Sequence, residues 1–248
     1  LTQAFEHGIE QVETFRLTNA SATLLDTGVL LIEPDDLECA PKDLLISSGV
    51  HGNETAPIEI VNQLVEELIQ GITVAKHRTL FIIGNPVAMN LSERFQTENM
   101  NRLFCGKHKN TSKNYESERT AKLERYVDNF FTNGNSKNSL KYHYDLHTAI
   151  RNSKYEKFAI YPYKEDKAWD LEQLEFLHSS GINTILFGHA PSGTFSYFTH
   201  SVYNAHAFTV ELGKVKAFGE NNSDDFEAIT DNLRHLIQAK EIDVQSFD

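Results

Sequence analysis

The stretch Leu44-Leu45-Ile46-Ser47-Ser48-Gly49-Val50-His51-Gly52-Asn53-Glu54-Thr55-Ala56-Pro57 decides how this chain is read. An apolar run of strand length ends here, and a helical pattern with apolar residues three or four apart opens at Pro57. Between them stand His51 and Glu54, three positions apart. Where a strand turns into a helix, an imidazole and a carboxylate at this spacing can point at one centre and offer a nitrogen and an oxygen to a divalent metal. Zinc is the natural candidate. A His-x-x-Glu pair alone is also what an ordinary surface pair looks like.

Outward from this stretch, apolar runs alternate with helical patterns. The runs at 23–25, 29–33, 44–48, 80–84, 142–146, 158–161, 184–187 and 207–211 predict strands, and those at 57–70, 117–131, 169–179 and 224–238 predict helices. For the last helix Ser223 is the expected N-cap, with Asp224 and Asp225 in the first turn. Segments 107–116 and 133–138 are polar and turn-rich and read as surface loops. The alternation predicts an α/β fold, a twisted, mainly parallel or mixed sheet with helices on both faces. In such sheets ligands bind in the crevice beyond the carboxyl ends of the strands, which is where His51 falls.

Catalytic zinc usually has three protein ligands and keeps one position for water, so a third ligand is owed from elsewhere. His147, in Tyr142-His143-Tyr144-Asp145-Leu146-His147-Thr148, stands at another strand end and is the best donor. Asp145 points to the same side of that strand. It either orients the histidine from behind or is an unrelated hydrogen-bonded aspartate. The other histidines, His143 among them, have no ligand spacing and read as surface or packing residues. A further strand ends in Val210-Glu211-Leu212-Gly213-Lys214. Glu211 is either an edge residue paired with Lys214 or a general base whose pKa is raised by partial burial.

His51-Gly52-Asn53-Glu54, Asn85-Pro86, Asn99-Met100-Asn101-Arg102-Leu103-Phe104, Asp145-Leu146-His147-Thr148-Ala149-Ile150-Arg151 and Val210-Glu211-Leu212-Gly213-Lys214 together resemble the succinylglutamate desuccinylase and aspartoacylase family, relatives of the zinc carboxypeptidases. The motifs keep the family's order. The Ala149-Ile150-Arg151 continuation and the segments at 193–196 and 218–221 look more like the desuccinylase branch. The resemblance implies that His51, Glu54 and His147 bind one zinc ion per chain and that Glu211 activates the water and later protonates the leaving amine. It implies that Arg94 stabilises the oxyanion and that Asn101 and Arg102 hold a substrate carboxylate. Without it, Arg94 would read as the partner of Glu93 or Glu98. Arg151 is expected either to meet a second substrate carboxylate or to neutralise Asp145. The implied reaction is hydrolysis of N-succinyl-L-glutamate to succinate and L-glutamate in the succinyl-transfer route of arginine breakdown. The alternatives are an aspartoacylase-like deacylase, a peptidase acting at carboxyl termini, and a non-catalytic protein that holds a dicarboxylate on zinc and arginines. The family's smaller β-rich C-terminal domain is expected to be absent or truncated, leaving 1–248 as one catalytic domain.

Composition bounds these readings. Charged residues at 23% and hydrophobic ones at 40% describe a globular protein. A formal charge of -12 argues against a nucleic-acid partner. An anionic small-molecule substrate then requires a locally positive pocket, which zinc and the arginines provide. No apolar run approaches the roughly 20 residues that span a bilayer, so no membrane association is expected. Cys39 and Cys105 read as free thiols in a reducing, cytoplasmic setting. Oligomeric state is not legible.

Overall fold

Unbroken apolar sequence marks strands covered on both faces, and the centre of the sheet is built from them. The computed structural model describes residues 12–36, 42–133, 139–149, 154–163, 165 and 169–242. Strands β4 (Lys42–Ser48), β5 (Arg78–Ile83), β6 (Leu140–Ala149) and β9 (His206–Lys214) lie side by side in the order β5-β4-β6-β9, all parallel. Outside β5 an antiparallel ribbon of β3 (Val29–Pro34), β2 (Ala20–Asp26) and β1 (Glu13–Arg16) continues the sheet. Beyond β9 come β7 (Lys157–Tyr161), antiparallel to it, and then β8 (Ile185–Phe187). The sheet is therefore mixed, as expected.

The two-residue period of a strand sorts its side chains onto two cores. Leu44, Ile46, Tyr144 and Phe208 face one side, where helices α1 (Thr55–Ile69), α4 (Leu171–Ser179) and α6 (Glu227–Ile237) cover them. Leu45, Leu80, Ile82 and Ala207 face the other, beneath α3 (Tyr115–Thr132) and α5 (Phe195–Tyr203). On β6 the buried odd-numbered positions face α5, and they are His143, Asp145 and His147.

Three elements were not expected from the sequence. The four residues of β1 are all exposed, so no apolar pattern marks them. Helix α2 (Pro86–Asn90) is a single turn started by Asn85, whose side chain accepts from Ala88 N. Helix α5 is rich in aromatic and β-branched residues and weak in helix formers. A Thr194 cap and the burial of Phe195, Phe198 and Thr199 hold it. Two starts also move. Asn114 and Ser117 form a capping box that opens α3 at Tyr115, inside the expected loop, whose 107–110 portion is a 3-10 turn. A 3-10 turn at Ser223–Phe226, capped by Asn222 rather than Ser223, precedes α6. The expected loop at 134–138 lies outside the described residues.

Candidate active site

The carboxyl ends of β4, β5, β6 and β9 carry His51, Asn85, His147 and Glu211 to one edge of the sheet. Gly52 seats the first of these. A Cβ there would lie 2.2 Å from the backbone of Ala88 and Met89, so only glycine allows the His51–Glu54 turn to press against α2. Glu54 is the N-cap residue of α1, but its carboxylate makes no cap bond and turns into the site. Glu54 Oε1 lies 2.9 Å from His51 Nδ1 and Oε2 lies 2.9 Å from His147 Nδ1. One ligand atom from each of the three residues falls within 4.8 Å of the others, and all three residues are buried.

The residues present fit a divalent ion. His51 Nδ1 is buried without an aligned hydrogen-bond partner among the described residues despite its approach to Glu54. The far nitrogen of each ring is anchored from behind: His51 Nε2 sits 2.9 Å from Asn99 Oδ1, and His147 Nε2 sits 3.0 Å from Asp145 Oδ2. Each anchor makes Nε2 the protonated nitrogen and turns Nδ1 toward the centre, the usual support of a ligating imidazole. Among the described residues this is the one such cluster.

Charge tightens the arrangement. Burial works against the Glu54 carboxylate, yet the two imidazoles hold its pKa well below the usual range. Burial also disfavours a charged His147, but Asp145 and Glu54 on either side raise its pKa well above the ordinary value. Glu211 is paired in register with His147 across β6 and β9. Burial pushes its carboxyl pKa up; His147 and Arg94 lower it, and Glu54 and Asp145 raise it further. Its Oε2 is buried with no hydrogen-bond partner among the described residues. Lys214, its alternative partner in the sequence, pairs instead with Glu156.

A cavity of about 380 Å³ opens onto His51, His147, Glu211, Arg94, Asn101 and Arg102, and Tyr163, Gly188, Ser192 and Thr194 also line it. Arg94 pairs with neither Glu93 nor Glu98; its Nη1 donates to Glu54 Oε1 at 2.7 Å. Asn101 is buried, and its Oδ1 accepts from Phe195 N at 2.9 Å, so its amide NH₂ is the group that can donate to a ligand. Arg102 is exposed at the rim, its Nη1 donating to the Asn101 carbonyl.

A family model described as the succinylglutamate desuccinylase/aspartoacylase catalytic domain matches residues 40–237. The chain belongs to this family. It is 46% identical to a succinylglutamate desuccinylase of Idiomarina loihiensis over 100% of its own length and 72% of the relative's. It is 51% identical to one from Shewanella putrefaciens, over 90% of this chain and 64% of that one. The crystal structure of the succinylglutamate desuccinylase from Chromobacterium violaceum superposes with a TM-score of 0.89 at 37% identity, covering 96% of this chain and 73% of that one. That from Vibrio cholerae gives 0.89 at 32%, covering 97% and 69%. The chain thus carries the fold of this family of hydrolases.

The structure brings together all seven family positions carried over from sequence, and Arg151, expected to meet a second carboxylate or to neutralise Asp145, lies outside the described residues. The residues that sequence reasoning missed stand one layer back. Asn99 holds His51, and the backbone N–H of Thr148 donates to Glu54 Oε2 at 3.1 Å. His143 takes the packing alternative, fully buried against Phe195, and its ring nitrogens also meet Ser47 and Thr199 in the polar layer behind His147. Strand parity alone would have put it on the face of Asp145 and His147. Cys105 is a free thiol, and Cys39 lies outside the described residues. No helix among the described residues is long and apolar enough to cross a membrane.

Proposed function

We propose that this chain is the catalytic part of a zinc-dependent amidohydrolase that converts N-succinyl-L-glutamate to succinate and L-glutamate. The observation that carries the reading is one cavity lined by both histidines of a His/Glu/His cluster, by Glu211, whose buried Oε2 has no hydrogen-bond partner among the described residues, and by two arginines. The names of its relatives at about half identity support the choice of acyl group. His51, Glu54 and His147 would hold the ion through two imidazole Nδ1 atoms and a carboxylate. When bound, zinc supplies a Lewis acid for the scissile carbonyl and makes a water acidic at neutral pH.

Glu211 takes the proton of the attacking water and returns it to the departing amine. A carboxyl with a raised pKa suits both halves of that exchange. Arg94, on the cavity wall beside Glu54, offers guanidinium N–H groups to the oxygen that becomes negative in the tetrahedral intermediate. Asn101 contributes its amide NH₂ and Arg102 a planar fork to the substrate carboxylate. Arg151 serves the second carboxylate. Arg94 and Arg102 make the cavity attractive to a dianion despite a net charge of -12. The setting is the succinyl-transfer route of arginine breakdown in the cytoplasm, where Cys105 stays reduced.

The test is a side-by-side assay of N-succinylglutamate, N-acetylaspartate and a peptide, each with and without a chelator. Preference for the first, abolished by the chelator and restored by zinc, is the expected result. Full activity in the chelator overturns the mechanism, and a preference for N-acetylaspartate reassigns the substrate.

A further inference from the structure

Behind the candidate metal centre runs a line of polar side chains that the proposed reaction does not use. β6 sends His143, Asp145 and His147 to one face of the sheet, and the parallel neighbour β4 sets Ser47 directly beside Asp145. Ser47, His143, Asp145 and Thr199 of α5 are all fully buried. Polar groups in such a layer are costly unless hydrogen-bonded. The distances supply those bonds as one unbroken series. Thr199 Oγ1 lies 2.8 Å from His143 Nδ1, His143 Nε2 lies 2.8 Å from Ser47 Oγ, and Ser47 Oγ lies 2.6 Å from Asp145 Oδ1. Asp145 Oδ2, at 3.0 Å from His147 Nε2, closes it.

The order of protons along this line follows from what each group can give. An ionised carboxylate only accepts, so Ser47 directs its single hydroxyl proton to Asp145. His143 Nε2 must then carry a proton and donate to Ser47 Oγ, which leaves Nδ1 of a neutral ring to accept from Thr199. Thr199 Oγ1 also lies 3.0 Å from the Ser196 carbonyl, but that carbonyl sits inside α5 and the helical ladder serves it. At the other end Asp145 accepts from His147 Nε2–H, so Nδ1 is the nitrogen that meets Glu54 and the metal centre.

We propose that Ser47 and His143 are positioning residues, which clamp the Asp145 carboxylate from behind and thereby fix His147 in the orientation and protonation pattern of an Nδ1 ligand. The inference rests on the zinc-hydrolase reading and deepens it. A carboxylate bonded only to His147 is free to turn about its own side-chain torsion. The Ser47 hydroxyl on its other oxygen removes that freedom, and His143 removes the choice of where the Ser47 proton points. Sequence spacing cannot reveal this, because Ser47 and Asp145 meet only through strand register.

The test measures zinc affinity by chelator competition and the ring-nitrogen state of histidines by ¹⁵N NMR. Ser47→Ala is expected to weaken zinc binding by about tenfold, the lower end of the range for direct partners of ligating histidines, because Ser47 acts one bond further back through Asp145. Ser47→Thr, which keeps the hydroxyl, should restore most of it. In the zinc-free wild type His143 should be a neutral ring protonated on Nε2. A folded Ser47→Ala variant that binds zinc as the wild type does, or a His143 protonated on Nδ1, overturns the proposal. Should Ser47→Ala not fold, Thr199→Val, nearly the same shape, removes the hydroxyl that meets His143 Nδ1 and the Ser196 carbonyl and leaves Ser47 and Asp145 in place. In the zinc-loaded protein it should move the His147 Nε2–H resonance, and an unmoved resonance overturns the proposal. If the wild type takes up no zinc, the hydrolase reading fails instead, while the His143 tautomer still decides the proton order.

Discussion

Replacing Gly52 by alanine tests the seating of the whole centre. The added Cβ would stand 2.2 Å from Ala88 C and Met89 N and 2.7 Å from Ala88 O, whereas ordinary contact begins at 3.4 Å. One of the two backbones must therefore retreat by about 1 Å or more, the gap between clash and contact. Neither is free to do so cheaply. Gly52 N donates to the Arg94 carbonyl at 3.1 Å, and Met89 N donates to the Asn85 carbonyl at 3.0 Å. Overpacking of this kind costs about 1–3 kcal/mol. At about 2–4 °C per kcal/mol for a chain of this size, Tm should fall by roughly 2–12 °C. Because His51 and Glu54 flank the displaced residue, the larger effect is on the site: a 1 Å misplacement costs on the order of 100-fold. Thermal unfolding and chelator competition for zinc on the same variant read the two effects. A Gly52→Ala protein with unchanged Tm and unchanged zinc affinity would refute the claim that α2 positions the ligands.

Glu211→Gln should bind zinc normally yet lose about 10²- to 10⁴-fold in kcat, the range for general acid–base groups; turnover within a few-fold of the wild type would move the base elsewhere. Zinc uptake near pH 7 should release about one proton, because His147 is held protonated until the ion takes Nδ1. Calorimetry in two buffers of different ionisation enthalpy measures it, and zero release contradicts the charge pattern around Glu54. For stability against pH, burial lowers the pKa of His143 from 6.5 to about 4. Between those values the unfolded chain binds the extra proton, so its contribution is complete above 6.5 and is lost as pH falls toward 4. By pH 5 the loss is about 2 kcal/mol for this one ring. Urea midpoints that stay level from pH 6.5 to pH 5 would show that His143 is not buried neutral.

The central strands and long helices were legible because apolar periodicity is a local property. Leu44 to Ser48 and Leu80 to Ile83 could hardly be anything but covered strands. What escaped was held by something other than pattern: α5 by its Thr194 cap and packing against the sheet, α2 by a single Asn85 cap, and β1 by pairing with β2 alone. The site divides in the same way. Spacing and strand ends made His51, Glu54 and His147 candidates and left Glu211 between two readings; the roles of Glu211, Arg94, Asn101 and Arg102 came from the resemblance to the family. The true partner of Arg94 was not legible, since Glu54 is forty positions away and the acids nearer in sequence face elsewhere.

By itself the sequence determined which residue types stand at the strand ends and which face of each strand they take, because strand period and helix entry are set within a few residues. Only the tertiary structure decided the register between strands that are far apart in the chain. That register puts Ser47 beside Asp145 and His147 beside Glu211. Shifting either pairing by one residue would turn these side chains to opposite faces, and the packing of helices on both sides of the sheet forbids the shift.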